Sequence, residues 1–264
     1  MVGAFKGSFQ VGLYSVVYTL VMDGFAIILA ALQLGAFPVI VKTYEFDGEE
    51  STVHLISRVT RYLLILTLPS ALGLYLLRIR VLSVITTASY LPAASVMLPL
   101  VLGILFNNAA WLPSMSLYIK KKTKLTLIPV GVASVVNIGL NLLLIPRYGY
   151  TAAAWNTLIA YLLYFGLMVE LSRRYMEWRF PWLDSVKVFA ATAATGIALY
   201  FLNKIPVHGA GGLVLIVITG AAIFFGVLLA VRGVTVNEIE FAITAVGRLP
   251  FVGKFVGGNE PPEE

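Results

Sequence analysis

The chain of 264 residues contains no cysteine, which excludes disulfides and thiol-based metal or redox chemistry. Its two histidines, His54 and His208, are far apart in sequence, and charged side chains make up only 12% of it. A soluble domain carries roughly 25%, because its surface must be solvated. Hydrophobic residues reach 59% and mean hydropathy is +0.90. Polar surface is too scarce to cover a water-facing globule, so apolar side chains must face lipid. No Gly-rich loop has the spacing of a phosphate cradle. No catalytic grouping is visible, and no cofactor or metal is implied. The net charge of +6 sits in the loops, which points to a membrane surface and not to nucleic acid.

What is present is a succession of long apolar runs. A helix needs about 20 apolar residues to cross the hydrocarbon core. Seven runs qualify, over about 11–41, 59–77, 92–119, 125–146, 148–169, 186–203 and 212–231. The fourth and fifth are separated only by Pro146-Arg147-Tyr148-Gly149. Residues 81–90 read as an interfacial turn or as the end of the second helix. The fold class is therefore all-α integral membrane, with about seven transmembrane helices.

Alternate loops hold Lys42, Arg58, Arg61, Lys120, Lys121, Lys122, Lys124, Arg173, Arg174, Arg179 and Lys187, and the tail holds Arg232, Arg248 and Lys254. The opposite set holds Lys6, Arg78, Arg80, Arg147 and Lys204. This bias places the first set and the C-terminus in the cytoplasm and the N-terminus of the chain outside. The tail, residues 233–264, opens with Thr235 and Glu238 spaced as a capping box. A short amphipathic helix over 236–246 follows, before an acidic end.

Candidate functional residues are the polar groups inside the apolar runs. Asp23 lies near the centre of the first helix, where an ionised carboxylate costs about 2.5–3.5 kcal/mol, so it is expected to face the bundle interior or a wet cavity. It reads as an ion- or proton-coupling site or a substrate contact, with a packing hydrogen bond as the competing reading. Asn107, Asn108, Asn137, Asn141 and Asn156 are the other intramembrane polar positions, and Asn137 and Asn141 share one helix face. Interhelical hydrogen bonding is the plainer role for these amides. Arg78 and Arg80, on the sparsely basic side, are placed to meet a diphosphate or to anchor by snorkelling. Glu45, Asp47, Glu49 and Glu50 read as a solvated turn rather than a metal site. The lysine cluster around Lys122 reads chiefly as a topology signal. Pro38, Pro69, Pro99, Pro113 and Pro129 are each expected to bend a helix.

Particular stretches resemble a known family. Val11-Gly12-Leu13-Tyr14-Ser15 is followed in order by Pro38, Pro69 with Gly73, Tyr90 with Ala93 and Ala94, and Lys122-Thr123-Lys124. The run Asn137-Ile138-Gly139-Leu140-Asn141-Leu142-Leu143-Leu144-Ile145-Pro146 then continues through Tyr148-Gly149 to Ala152-Ala153. Together these resemble the C-terminal part of the polysaccharide-biosynthesis (O-antigen-type) flippases of the multidrug/oligosaccharidyl-lipid/polysaccharide exporter superfamily, with Thr151-Ala152 where that family usually has Gly-Ala. The resemblance implies the second lobe of a two-lobed transporter over residues 1–178, an extra transmembrane hairpin over 179–232, and a cytoplasmic tail. It implies translocation of a lipid-linked oligosaccharide by alternating access, without covalent chemistry. The implied partners are the lipid bilayer, the lipid-linked glycan, and a missing N-terminal lobe or partner chain. A multidrug or cation exporter of the same superfamily is the alternative, and a membrane glycan polymerase or ligase a more distant one.

The charge bias makes a direct prediction, easily tested on a cysteine-free background. In intact cells, Lys122→Cys and Arg174→Cys should resist a membrane-impermeant thiol reagent, while Arg80→Cys and His208→Cys should label. Labelling at Lys122 from outside would reverse the orientation.

Overall fold

The computed structural model describes residues 1–205 and 209–234, and every regular element among them is helical. A short α1 (Val2–Lys6) leads into α2 (Ser8–Leu76) and α3 (Arg78–Ile85). A 3-10 stretch, Ala88–Val96, runs into α4 (Met97–Ala109) and α5 (Trp111–Ile119). A 3-10 turn, Thr123–Thr126, opens α6 (Leu127–Arg173), followed by α7 (Trp182–Leu202) and α8 (Gly209–Ala230). Five stretches are long and apolar enough to cross a bilayer: Ser8–Leu76, Ala88–Ile119, Thr123–Arg173, Trp182–Leu202 and Gly209–Ala230.

Two of the five break at a single glycine. Gly48 has φ 83 and ψ −173, and Gly149 has φ 63 and ψ −143. Residues with a Cβ rarely adopt such angles, and glycine does so freely. The breaks divide the fold into seven crossing segments: 8–47, 49–76, 88–119, 123–148, 150–173, 182–202 and 209–230. Tyr90 lies 6.1 Å from Phe9, ring centre to ring centre, so the chain has returned to its starting end after two crossings. Asn156 reaches Asn141 at 2.9 Å, fifteen residues apart, so the two arms of α6 lie side by side.

The expected seven helices are thus present, with longer ends. Residues 81–90 form neither a turn nor a continuation. The helix ends at Leu77 (φ −92, ψ 7), and α3 follows as a separate short element. The prolines also need correction. Pro99 and Pro129 are each the third residue of a helix, α4 and α6, where the backbone N–H has no intrahelical partner to lose, so these two start helices. Pro113 does interrupt its segment as expected: it cannot donate to the Ala109 carbonyl, and the ladder of 88–119 breaks at Ala110 between α4 and α5. Pro38 and Pro69 lie inside α2, and Pro146 lies inside α6. The proposed helix over 236–246, the tail and His208 lie outside the described residues.

Packing follows α2's four-residue stripe, Leu13, Val17, Val21, Phe25 and Leu29, all buried in one large cluster with α4 and its 3-10 lead-in. The second arm of α6 lies against α4, where a Cβ on Gly103 would stand 3.2 Å from the Leu158 Cα. α7 and α8 pair with each other, and α7 docks on the second arm of α2 around Ile65, Val188, Ala191, Phe224 and Leu228. Buried threonines hydrogen-bond to carbonyls one turn back: Thr60 to Ile56, Thr67 to Leu63, Thr192 to Val188 and Thr195 to Ala191. Large apolar side chains elsewhere point outward, Ile27, Leu34, Val135, Leu143 and Leu183 among them.

Cross-links sort the loops into two ends. At one end Lys120 donates to Glu49 (2.6 Å) and to the Tyr44 hydroxyl (2.9 Å), Arg61 lies 3.9 Å from Asp184, and Lys187 donates to the Arg232 carbonyl. The bond to Glu49, then the bond to Tyr44, hold the Lys120 amine above its ordinary range. At the other end Arg80 donates to the Asn203 and Ile205 carbonyls, and Gln10 accepts from the Tyr150 N–H. The richly and sparsely basic loop sets therefore occupy opposite ends. An aromatic ladder ties the α6–α7 connection down: Phe106, Phe165, Trp178, Phe180 and Trp182 meet in sequence with ring centres 4.6–6.0 Å apart.

Gly149 carries the sharpest constraint, since its φ is left-handed and the Gln10 carboxamide occupies the space a Cβ would need. Gly149→Ala should lose about 1–2 kcal/mol through the backbone term alone. Gly166→Ala, helical and open on all sides, should be neutral or stabilising by up to about 1 kcal/mol. Thermal unfolding midpoints in detergent check the pair, and equal midpoints would mean the turn at Gly149 is not as described.

Candidate functional site

A cavity of about 520 Å³ opens beside the first arm of α2, between α4 and both arms of α6. It runs inward from near the end marked by Gln10, one turn from Tyr14, to mid-height, where Asn137 and Tyr161 are central in segments 123–148 and 150–173. Tyr14 and Tyr18 reach it from α2 and Asn107 from α4. Ser134 and Asn137 reach it from the first arm of α6, and Thr157, Tyr161 and Tyr164 from the second. Helical spacing accounts for the grouping. Positions 14 and 18 are one turn apart, as are 157, 161 and 164, and each set shares one face.

The side chains are held from behind. Thr157 donates its hydroxyl hydrogen to the Ala153 carbonyl (2.8 Å), so in its 3.1 Å contact with Tyr14 the phenol must be the donor. The Tyr14 and Tyr18 rings stack, with centroids 5.6 Å apart and planes 18° from parallel. The Tyr18 and Tyr161 hydroxyls meet at 3.4 Å. Gly103 sets the position of Tyr161, because it lets the ring approach within 3.3 Å of where a Cβ would stand.

Of the positions singled out in the sequence, Asn107 and Asn137 line the cavity. Asn108 turns back to donate to the Ile104 carbonyl on its own helix (2.8 Å). Asn137, Asn141 and Asn156 form an amide chain: Asn141 donates to Asn137 and Asn156 donates to Asn141, both at 2.9 Å. Asn156 is 1% exposed and its carbonyl oxygen has no protein partner. These amides knit the two arms of α6 together, and Asn137 alone of the three also faces the cavity.

The other three positions stand apart from it. Asp23 is exposed and does not line the cavity, against the expectation of a place inside the bundle. It is two residues from both buried Val21 and buried Phe25, which puts it about 160° around the helix from each. Arg78 caps the end of α2, donating to the Tyr75 carbonyl (2.8 Å) with its guanidinium 4.5 Å from the Tyr75 ring. Arg80 clasps the α7–α8 connection. The Glu45–Glu50 segment is helical on either side of Gly48, and among the described residues no acidic or histidine cluster has metal-binding geometry.

Tyr14, Tyr18, Ser134, Thr157, Tyr161 and Tyr164 were not reached from the sequence as site residues. The available signal was tyrosine and threonine recurring at three- and four-residue spacing inside two separate apolar runs. What the site offers chemically is a set of neutral hydroxyls, carboxamides and aromatic faces within the membrane-spanning part of the bundle.

These features define an all-α, multi-pass membrane protein with a polar cavity set among its spanning helices. No protein-family model matches the sequence, and no curated protein matches it. Among solved structures, the fold is shared with the lipid II flippase MurJ in an inward closed conformation, at TM-score 0.68 and 16% identity, over 88% of this chain. The match covers 51% of that structure, so the chain spans about half its length.

The hydrogen bond between Tyr14 and Thr157 yields a quantitative test. In a double-mutant cycle of Tyr14→Phe and Thr157→Val, unfolding free energies in lipid or detergent should show a coupling of about 0.6 kcal/mol, the usual size within a membrane. Additive single effects would show that the two hydroxyls do not hold each other.

Proposed function

We propose that the chain forms one wall of a flippase that moves a lipid-linked oligosaccharide across the membrane by alternating access. The observation that carries this reading is the fold shared with a lipid II flippase over 88% of the chain, combined with the polar cavity among the spanning helices. On this reading, residues 1–178 are a lobe of the O-antigen-type transporters and correspond to their second half. Residues 179–232 are an added hairpin, and residues 233–264 are a tail. The richly basic end lies in the cytoplasm. The cavity faces outward from this lobe, so a second helical lobe, on the same polypeptide or on a partner chain, closes the translocation path.

The role is transport, with no covalent step assigned to the lining side chains. A cation exporter is less well supported, because no carboxylate is among the lining residues. Asp23, exposed on the far side of α2 from the buried stripe, serves at the junction with the second lobe, in coupling or in substrate contact.

The experiment is to deplete the protein in its host and determine which leaflet holds the lipid-linked oligosaccharide, using a membrane-impermeant sugar-modifying reagent. Depletion should leave the glycan lipid on the cytoplasmic side. Complementation with Asp23→Asn should restore normal protein levels but only a small fraction of the flux. An unchanged leaflet distribution after depletion would sink the reading. Full flux with Asp23→Asn would remove Asp23 from the mechanism.

A further inference from the structure

The cavity's lining has a chemical character sharp enough to say which part of a glycan lipid it accepts. Twelve residues line it, and none carries a charge. A phosphate or diphosphate taken out of water without a cation pays a large desolvation penalty. Arg78 and Arg80, the arginines whose place in the sequence suits a diphosphate, hold backbone carbonyls away from the cavity. The cavity is therefore a poor place for an anionic headgroup.

Its polar groups instead suit a neutral one. The Asn107 carboxamide makes no hydrogen bond among the described residues, in contrast to its neighbour Asn108. Asn137 receives a bond on its oxygen from Asn141, which leaves its N–H donors for the cavity. A carboxamide offers a donor and an acceptor side by side, the pattern presented by vicinal hydroxyls or an acetamido group on a sugar. Opposite them stands a preset aromatic surface, Tyr14 on Tyr18, fixed at one end by Thr157 and at the other by Tyr161. Aromatic faces are electron-rich. They attract the polarised C–H bonds on the flat, apolar face of a pyranose ring.

We infer that this cavity is a sugar-ring site: it takes an uncharged glycan unit of the cargo, stacked on Tyr18 and hydrogen-bonded by Asn107 and Asn137, and excludes the phosphate. The inference rests on the reading of the chain as part of a glycan-lipid flippase and adds that this wall reads the glycan. Tyr18 and Asn107 are then the residues that set specificity. Stacking surface and amide donors are in place before the ligand arrives, so little ordering cost falls on binding.

The test compares two lipids on the native protein in nanodiscs: a polyprenyl diphosphate bearing a neutral disaccharide, and the bare polyprenyl diphosphate. The wild type should prefer the glycosylated lipid by roughly tenfold or more, the size of one good stacking contact joined to one hydrogen bond. Tyr18→Leu and Asn107→Leu should each bring the two affinities close together by weakening binding of the glycosylated lipid, and an unfolding midpoint near that of the wild type reports that the variants are folded. Tyr18→Phe, which keeps the ring, should retain most of the preference. A wild type that binds both lipids equally, or a Tyr18→Leu variant that still prefers the sugar, overturns the inference. The depletion experiment separates the two readings. Glycan preference with an unchanged leaflet distribution after depletion defeats the proposed function and leaves the sugar site standing, whereas a changed distribution without preference does the reverse.

Discussion

Hydrocarbon offers no partner to a peptide N–H or C=O, so each must be satisfied by the chain itself. That requirement accounts for the helical architecture and for the restricted places where helices stop. The sharpest backbone reversals, at Gly48 and Gly149, lie at the ends of the bundle where loops and water begin. The side chains obey the same rule. Thr60, Thr67, Thr192 and Thr195 are buried, and each returns its hydroxyl to its own helix. Such threonines cost the membrane nothing and are silent as functional signals.

Against that background the cavity is the place where polar groups are spared for something else. Its walls are brought together by close backbone approach: Gly103 lets α4 and α6 meet, and α6's own two arms are bound by the Asn137–Asn141–Asn156 chain. The polar atoms behind the surface are largely consumed in fixing geometry. Those in front, on Asn107, Asn137, Ser134 and Tyr164, are not. This division into supporting and presenting groups lets a site hold its shape before any ligand enters.

The helices were legible because length and hydrophobicity dominate in lipid. The runs at 125–146 and 148–169 appear in the structure as 123–148 and 150–173, with the turn where Pro146 to Gly149 indicated it. Charge sorting was legible too, since the two loop sets fall at opposite ends. The site was only partly so. Asn107 and Asn137 could be found as polar residues in apolar runs, but Asn108 differs from Asn107 only in facing about 100° away, and nothing local says which of the two looks into a cavity. Tyrosine was overlooked because in a hydropathy scan its ring counts as apolar and its hydroxyl is invisible. Asp23 was placed inside the bundle on cost alone, yet the stripe from Leu13 to Leu29 had already assigned the buried face to other residues. Pro99 and Pro129 start helices instead of bending them, because where a helix begins depends on where the preceding 3-10 turn ends, which hydropathy does not report.

The tight turn at Gly149 also bears on how the protein enters the membrane as it is made. The arm 123–148 emerges first, carrying Asn137 and Asn141 into an environment where lone carboxamides are poorly tolerated. Their companion, Asn156, is synthesised only fifteen residues later and arrives antiparallel, because the reversal needs a single residue. The two arms can thus leave the translocon as a prefolded hairpin, with their amides already joined. A longer linker would delay that meeting, so the brevity of the turn protects the nascent chain as well as shaping the finished one.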